Sequence, residues 1–292
     1  MHRYGGPQYY EFIPVDGTRR VAVSEEIFTS RGRLDRIATL NLFLEARSPI
    51  HVGSGTKSIE VVGRRPIPIL KALRNGSGML HIPGSTLKGL VSTNYLALSG
   101  SIEDVSECFG TSQAWSGRYG PLASKLFFSD ALPESSVEPM FMEVRRAWQP
   151  KIRKPRHVKI YTSQAPPTAI YGKMECIPMG TRFKTVIVGV NLRDHELGGI
   201  LMALGLASID GGIKVGSLKV GYGKPQGFGK IQVDPDRSML DERELDMITL
   251  KSIGVNRLSS PRCAGLIEAF IDRGKRWGRD IPALWSKIFE TG

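Results

Sequence analysis

The sequence predicts an α+β fold in which the order strand, helix, strand, strand, helix, strand closes as an antiparallel sheet with two helices on one face. Alternating leucines, a capped helical run, and a β-branched stretch followed by a second helical pattern are the observations behind it. "TLNLFLEA" places Leu40, Leu42 and Leu44 two residues apart, the period of a strand with one buried face. After a connection punctuated by Gly and Pro, "PGSTLKGLVSTNYLAL" offers Ser85 as a helix cap, followed by Leu87, Leu90, Val91, Tyr95 and Leu98 at helical spacing. "KLFFSDA" reads as a short strand ending in a turn that Asp130 caps, and "RFKTVIVGVNL" is β-branched and strand-like. "ELGGILMALGLASI" resumes a helical pattern despite its glycines, and "GKIQV" supplies a last strand. From about Ser238 onward charges of both signs mix as on a solvated helical surface, with Leu266, Phe270, Trp277, Leu284, Trp285 and Phe289 available to pack back on the sheet. The expected organisation is a core over 36–236, an appended helical segment over 237–292 and an N-terminal extension over 1–35.

A chain of 292 residues with 41% hydrophobic side chains can fill a real core. Its apolar runs are broken by Gly, Arg or Lys well before the roughly eighteen residues a membrane span needs, and "MHRYGGPQYYEF" lacks a signal peptide's apolar segment. A soluble, cytoplasmic protein without a membrane partner is expected. Cys108, Cys176 and Cys263 lie far apart with no CxxC pair, which favours buried small hydrophobes over a disulfide framework or a zinc ribbon.

The formal charge of +12 favours polyanionic partners, because Lys and Arg gain affinity by releasing counterions from a phosphate backbone. No acid occurs from Val144 to Met174, where Arg145, Arg146, Lys151, Arg153, Lys154, Arg156, Lys159 and Lys173 cluster. Prolines at 150, 155, 166 and 167 make this segment poor helix material, and an extended finger is expected. A second acid-free run, Gly211 to Val233, adds Lys214, Lys219, Lys224 and Lys230.

That run contains "KVGYGKPQGFGKI", with Gly221, Gly223, Gly227 and Gly229 between its lysines. A Walker loop would need Ser or Thr after the lysine and then a helix, whereas here Ile231 follows and a strand begins. A dinucleotide fingerprint would need GxGxxG, and "GYGKPQG" is one residue too long and runs from helix to strand. A hairpin-like turn with several glycines at positive φ is the plain alternative.

In company the stretch is more specific. "SPIHVGSG" at 48–55, "HIPGSTLKGLV" at 81–91, "CFGT" at 108–111, "LFFSDA" at 126–131, "ECIPMGTRF" at 175–183 and "GYGKPQGFGKI" at 221–231 follow one another in this order. Together they resemble the RAMP superfamily of CRISPR-associated proteins, and within it the backbone subunits of type III effector complexes. The resemblance covers about Leu40 to Val233. It implies a ferredoxin-like, RRM-like core with a basic thumb-like insertion over 144–174 and appended C-terminal helices. It also implies a scaffold that binds guide CRISPR RNA, meets complementary target RNA, and assembles with other effector subunits or with copies of itself.

On that resemblance His51 lies near the guide backbone, and Ser85 and Lys88 form a phosphate site at a helix N-terminus. Lys219, Lys224, Lys230 and the four glycines approach phosphates, and Arg145, Arg146, Lys151, Arg153, Lys154 and Arg156 belong to the thumb. Trp148, Tyr161 and Tyr171 either stack on bases or anchor the hairpin. The family's nucleases carry an aspartate between the first strand and first helix. Here that connection, "GSGTKSIEVVGRRPIPILKALRNGSG", holds only Glu60. No cofactor is expected for a scaffold. Mg²⁺ enters only on the alternative that the chain is a metal-dependent endoribonuclease cleaving target RNA with Glu60 or an acid donated by a neighbouring chain. An unrelated basic RNA-binding protein is the remaining alternative.

Overall fold

The computed structural model describes residues 10–15, 34–62, 64–111, 121–145, 156–162, 164, 169–246 and 249–290. Strand β1 (Tyr10–Pro14) precedes β2 (Arg36–Ala46), then β3 (Gly53–Val62) and β4 (Arg65–Ala72), helices α1 (Gly84–Ser99) and α2 (Ile102–Phe109), and short strands β5 (Leu126–Phe128) and β6 (Leu132–Pro133). β7 (Met140–Arg145), β8 (His157–Tyr161), β9 (Ile170–Cys176) and β10 (Arg182–Val190) lead to α3 (Asp194–Ala203). There follow β11 (Leu206–Ile209), β12 (Gly212–Val215), β13 (Leu218–Lys219), β14 (Lys230–Val233), β15 (Met239–Asp246), β16 (Thr249–Arg257), α4 (Pro261–Arg276) and α5 (Ile281–Phe289).

The alternation of β2 sends Leu40, Leu42 and Leu44 into the core, where they share one cluster with Tyr95 and Leu98 of α1 and Leu197 and Ile200 of α3. β14, β2, β10 and β5 lie side by side in that order, all antiparallel. Counted along the six predicted core elements, the fourth strand neighbours the first, then come the third and the second, an RRM-like α+β fold. The glycines of α3 have a packing cause. A Cβ on Gly198 would overlap the carbonyl oxygen of Leu266, so α4 approaches α3 at backbone distance and delivers Phe270 to the core. All three cysteines are buried and free.

Three expectations are corrected. The connection from 53 to 72 is the hairpin of β3 and β4, which joins β9 and β7 in a second sheet of order β3-β4-β9-β7. Its glycines and prolines disguise it, because Ile59 and Val61 stay largely exposed and no buried alternation marks the strand. Of the presumed finger, residues 146–155, 163 and 165–168 lie outside the described residues, and the described part packs against the protein instead of projecting. Its flanks belong to β7 and β9, and His157–Tyr161 pairs antiparallel with the N-terminal strand β1. The stretch after Ser238 begins with a hairpin, not a helix: β15 pairs with residues 36–41 of β2, on the edge that β14 leaves open, and among its described residues only 261–276 and 281–289 are helical.

Candidate nucleic-acid interface

Helix α1 begins at Gly84, whose missing side chain lets the backbone of Phe128 and Ser129 lie against it. That approach brings Asp130, from the loop after β5, to the helix end, where its Oδ1 accepts from the Gly84 amide at 2.8 Å. Ser85 is exposed and makes no capping bond, contrary to the sequence expectation. The positive end of the helix is therefore answered by a carboxylate, and a phosphate there would meet repulsion. Lys88 sits one turn further on, half-buried, and burial lowers its ammonium pKa.

The glycine stretch is a hairpin. β13 and β14 pair with Lys219 directly opposite Lys230, and the turn between them contains the short 3₁₀ helix Lys224–Gln226 flanked by Gly223 and Gly227. Gly221 and Gly229 hold φ of 75° and 82°, and a Cβ on either would strike the carbonyl oxygen of His51 or Val220. Most amides of the stretch are spent inside the protein: Tyr222 donates to His51 O at 2.9 Å, Gly229 to Pro49 O at 2.8 Å, and Lys230 to Ser48 Oγ at 2.8 Å. The glycines thus shape the hairpin, and few of its amides are left to cradle a phosphate.

His51 is 2% exposed, with Nδ1 at 2.6 Å from the Glu175 carbonyl and its own carbonyl committed to the turn. Burial and these two contacts make it a pin between the glycine hairpin and β9. The Glu175 carboxylate beside it is also buried. Burial alone would raise its pKa, but the Ala72 amide, Arg74 and Lys71 outweigh that and hold it below the ordinary carboxylate value.

Between α1, β8, the strand leading into the glycine turn and the end of α5 lies a cleft of about 330 Å³, lined by Thr86, Thr93, Lys159, Tyr161, Lys219 and Lys224 among others. Among the described residues no Asp or Glu lines it. Lys159 stands 4.5 Å from the ring centres of both Tyr10 and Tyr161, and its Nζ donates to Tyr161 Oη at 3.0 Å. Lys219 donates to the Tyr161 carbonyl at 2.7 Å. Burial, together with the nearby charges of Lys230 and Lys224, pulls its pKa down to about 8, and burial also lowers that of Lys224. Tyr161 acts as an anchor here. Tyr171, on β9, is exposed.

The remaining basic residues divide. Arg145 ends β7, lies 3.4 Å from Glu143, and its carbonyl accepts from Gln226 of the glycine turn at 2.6 Å. Arg156 is exposed at φ 57°, and its carbonyl accepts from the Val15 amide at 2.9 Å. Arg146, Trp148, Lys151, Arg153 and Lys154 lie outside the described residues. Sequence reasoning missed the contribution of Tyr10, whose ring reaches Lys159 only because β1 and β8 pair across a long stretch of chain. The aromatic run "YYEF" was the available signal.

Glu60 lies within β3, and its carboxylate is 2.9 Å from Lys173 Nζ. Among the described residues no group of three or more His, Cys, Asp or Glu is placed to hold a metal ion. No described helix is long and apolar enough to cross a membrane.

No curated protein sequence matches the chain. A family model described as the RAMP superfamily matches residues 43–232, which include the end of β2, the strands β5 and β10, both core helices, the cleft's three lysines and the glycine hairpin. The chain belongs to the RAMP superfamily, a group of CRISPR-associated RNA-binding and RNA-processing proteins.

Proposed function

We propose that this protein is a guide-RNA-binding scaffold subunit of a type III CRISPR interference complex, contacting guide CRISPR RNA, complementary target RNA and neighbouring effector subunits. The carrying observation is the acid-free cleft in which Lys159, Lys219 and Lys224 converge between the first core helix and the glycine hairpin. Such a surface attracts a phosphate backbone without reading bases. Single-stranded RNA is expected to bind with a steep salt dependence, each neutralised phosphate adding about 0.7 to the slope of log K against log salt. RNA that co-purifies with the chain should share one repeat-derived 5′ end. A flat salt response, or bound RNA of random origin, would remove the reading.

Glu60 carries no catalysis in this reading, since its carboxylate is engaged by Lys173. Glu60→Ala should leave guide affinity and every target cut of the reconstituted complex unchanged. Mapping the cut sites on a complementary RNA checks this, and loss of regularly spaced, Mg²⁺-dependent cuts would make the chain a nuclease subunit instead.

A further inference from the structure

Helix α1 carries a glycine in its interior that packing among the described residues does not explain. A Cβ on Gly89 would meet no described neighbour within 4 Å, and the residue is exposed, whereas Gly84 and Gly198 lie against backbone. Glycine inside a helix is less stable than alanine, and it is the residue that lets another molecule approach the backbone closely. Gly89 lies on the wall of the cleft, with Thr86 and Thr93 of the same helix. Its carbonyl accepts the hydroxyl protons of Thr93, at 2.7 Å, and of Ser92, at 3.1 Å. A threonine hydroxyl has one proton and two lone pairs, so Thr93 Oγ1, its proton committed, can only accept a further bond. Thr93 is exposed, so those lone pairs are open to a ligand. The ammonium groups of Lys159, Lys219 and Lys224 on the same cleft only donate.

We propose that Gly89 and Thr93 make this cleft selective for ribose. The sugar edge of a passing RNA strand lies against the bare backbone of α1 at Gly89, its 2′-hydroxyl donates to Thr93 Oγ1, and the adjoining phosphates meet the lysines. The proposal rests on the guide-RNA reading and adds to it the group that tells RNA from DNA. A phosphate oxygen only accepts, so it suits the lysines and not Thr93. A 2′-hydroxyl has a proton to give, and deoxyribose has none at that position. A side chain at position 89 would stand between the helix and the sugar.

The test compares the affinity of the full chain for one short single-stranded sequence made with ribose, deoxyribose or 2′-fluororibose, the last of which keeps a ribose-like pucker but has no hydroxyl proton. The ribose strand should bind about fivefold more tightly than either of the others, the scale of one uncharged hydrogen bond. Thr93→Val, similar in shape and without the hydroxyl, should bring that ratio near one, and Thr93→Ser should restore it. Gly89→Ala should weaken binding of the ribose strand while raising the thermal transition by about 2 °C, a pair of opposite signs that a purely structural role would not give. Gly89→Ala also carries the test if Thr93→Val does not fold. Equal affinity for the three strands, or a ribose preference that survives Thr93→Val, overturns the proposal and leaves the guide-RNA reading intact. A 2′-fluoro strand that binds as tightly as ribose traces the preference to sugar pucker and overturns it as well. Absence of binding by every strand removes both readings.

Discussion

Replacing Lys219 and Lys224 together by alanine is expected to weaken single-stranded RNA binding about thirtyfold, the loss of two charge-assisted phosphate contacts at roughly 1 kcal/mol each after allowance for solvent. The slope of log K against log salt should fall by about 1.4 in the same experiment, because each lost contact removes about 0.7. Both lysines line the acid-free cleft, so their removal unbalances no carboxylate there, and the thermal transition should stay within a few degrees of the parent. pH supplies an independent check. With Lys219 titrating near pH 8, raising the pH from 7 to 9 should weaken binding in the parent, a range in which an ordinary lysine keeps its proton. The sign for stability is opposite. A base whose pKa is lowered on folding costs stability while it is protonated, so the fold should gain as pH rises from about 8 toward about 10.4, where the unfolded lysine also loses its proton. Unchanged affinity and unchanged slope in the double variant would move RNA to another face of the molecule.

The core was legible where side chains meet one another close in sequence or repeat with a clear period. Leu40, Leu42 and Leu44 announced β2, the apolar spacing of 87–98 announced α1, and the β-branched run ending at Val190 announced β10. What hid was set by distant partners. The acid-rich run "DERELD" forms a strand because the first half of β2 offers a vacant edge, and because Glu242 meets Arg36 and Arg262 there; local composition records neither fact. The lysines of the glycine hairpin were found by charge alone, but their company was not. Tyr10 comes to Lys159 through the pairing of Tyr10 with Tyr161, and Phe289 reaches the cleft from the end of the chain. Ser85 was misread as a cap because Asp130, far along the chain, performs that role through a backbone contact that only Gly84 permits.

Glu242→Ala is expected to cost about 3 kcal/mol, the low end for removing one member of a buried ion network, since its cationic partners retain some access to water. The Glu242 side chain is 1% exposed and pairs with both Arg36 and Arg262, the latter with Oε1 at 2.9 Å and Oε2 at 3.0 Å. Asp194, at the start of α3, meets the same two arginines at 2.7 and 3.1 Å. Four side chains thereby tie β2, α3, β15 and α4, and with them attach the C-terminal hairpin and helices to the core. Removing Glu242 leaves two guanidinium groups with one carboxylate between them and a cavity beneath β15. Burial pushes the Glu242 pKa upward, but hydrogen bonds and charge from Arg262 and Arg36 outweigh it, so the net shift is downward. Stability from this group is therefore present above the unfolded carboxylate value of about 4.3 and is lost as pH falls through the lower folded value. Chemical denaturation of parent and variant at pH 7 and pH 3 checks both statements: the gap of about 3 kcal/mol should narrow in acid, and a gap that is absent at pH 7 would show that the C-terminal segment is held by its apolar contacts alone.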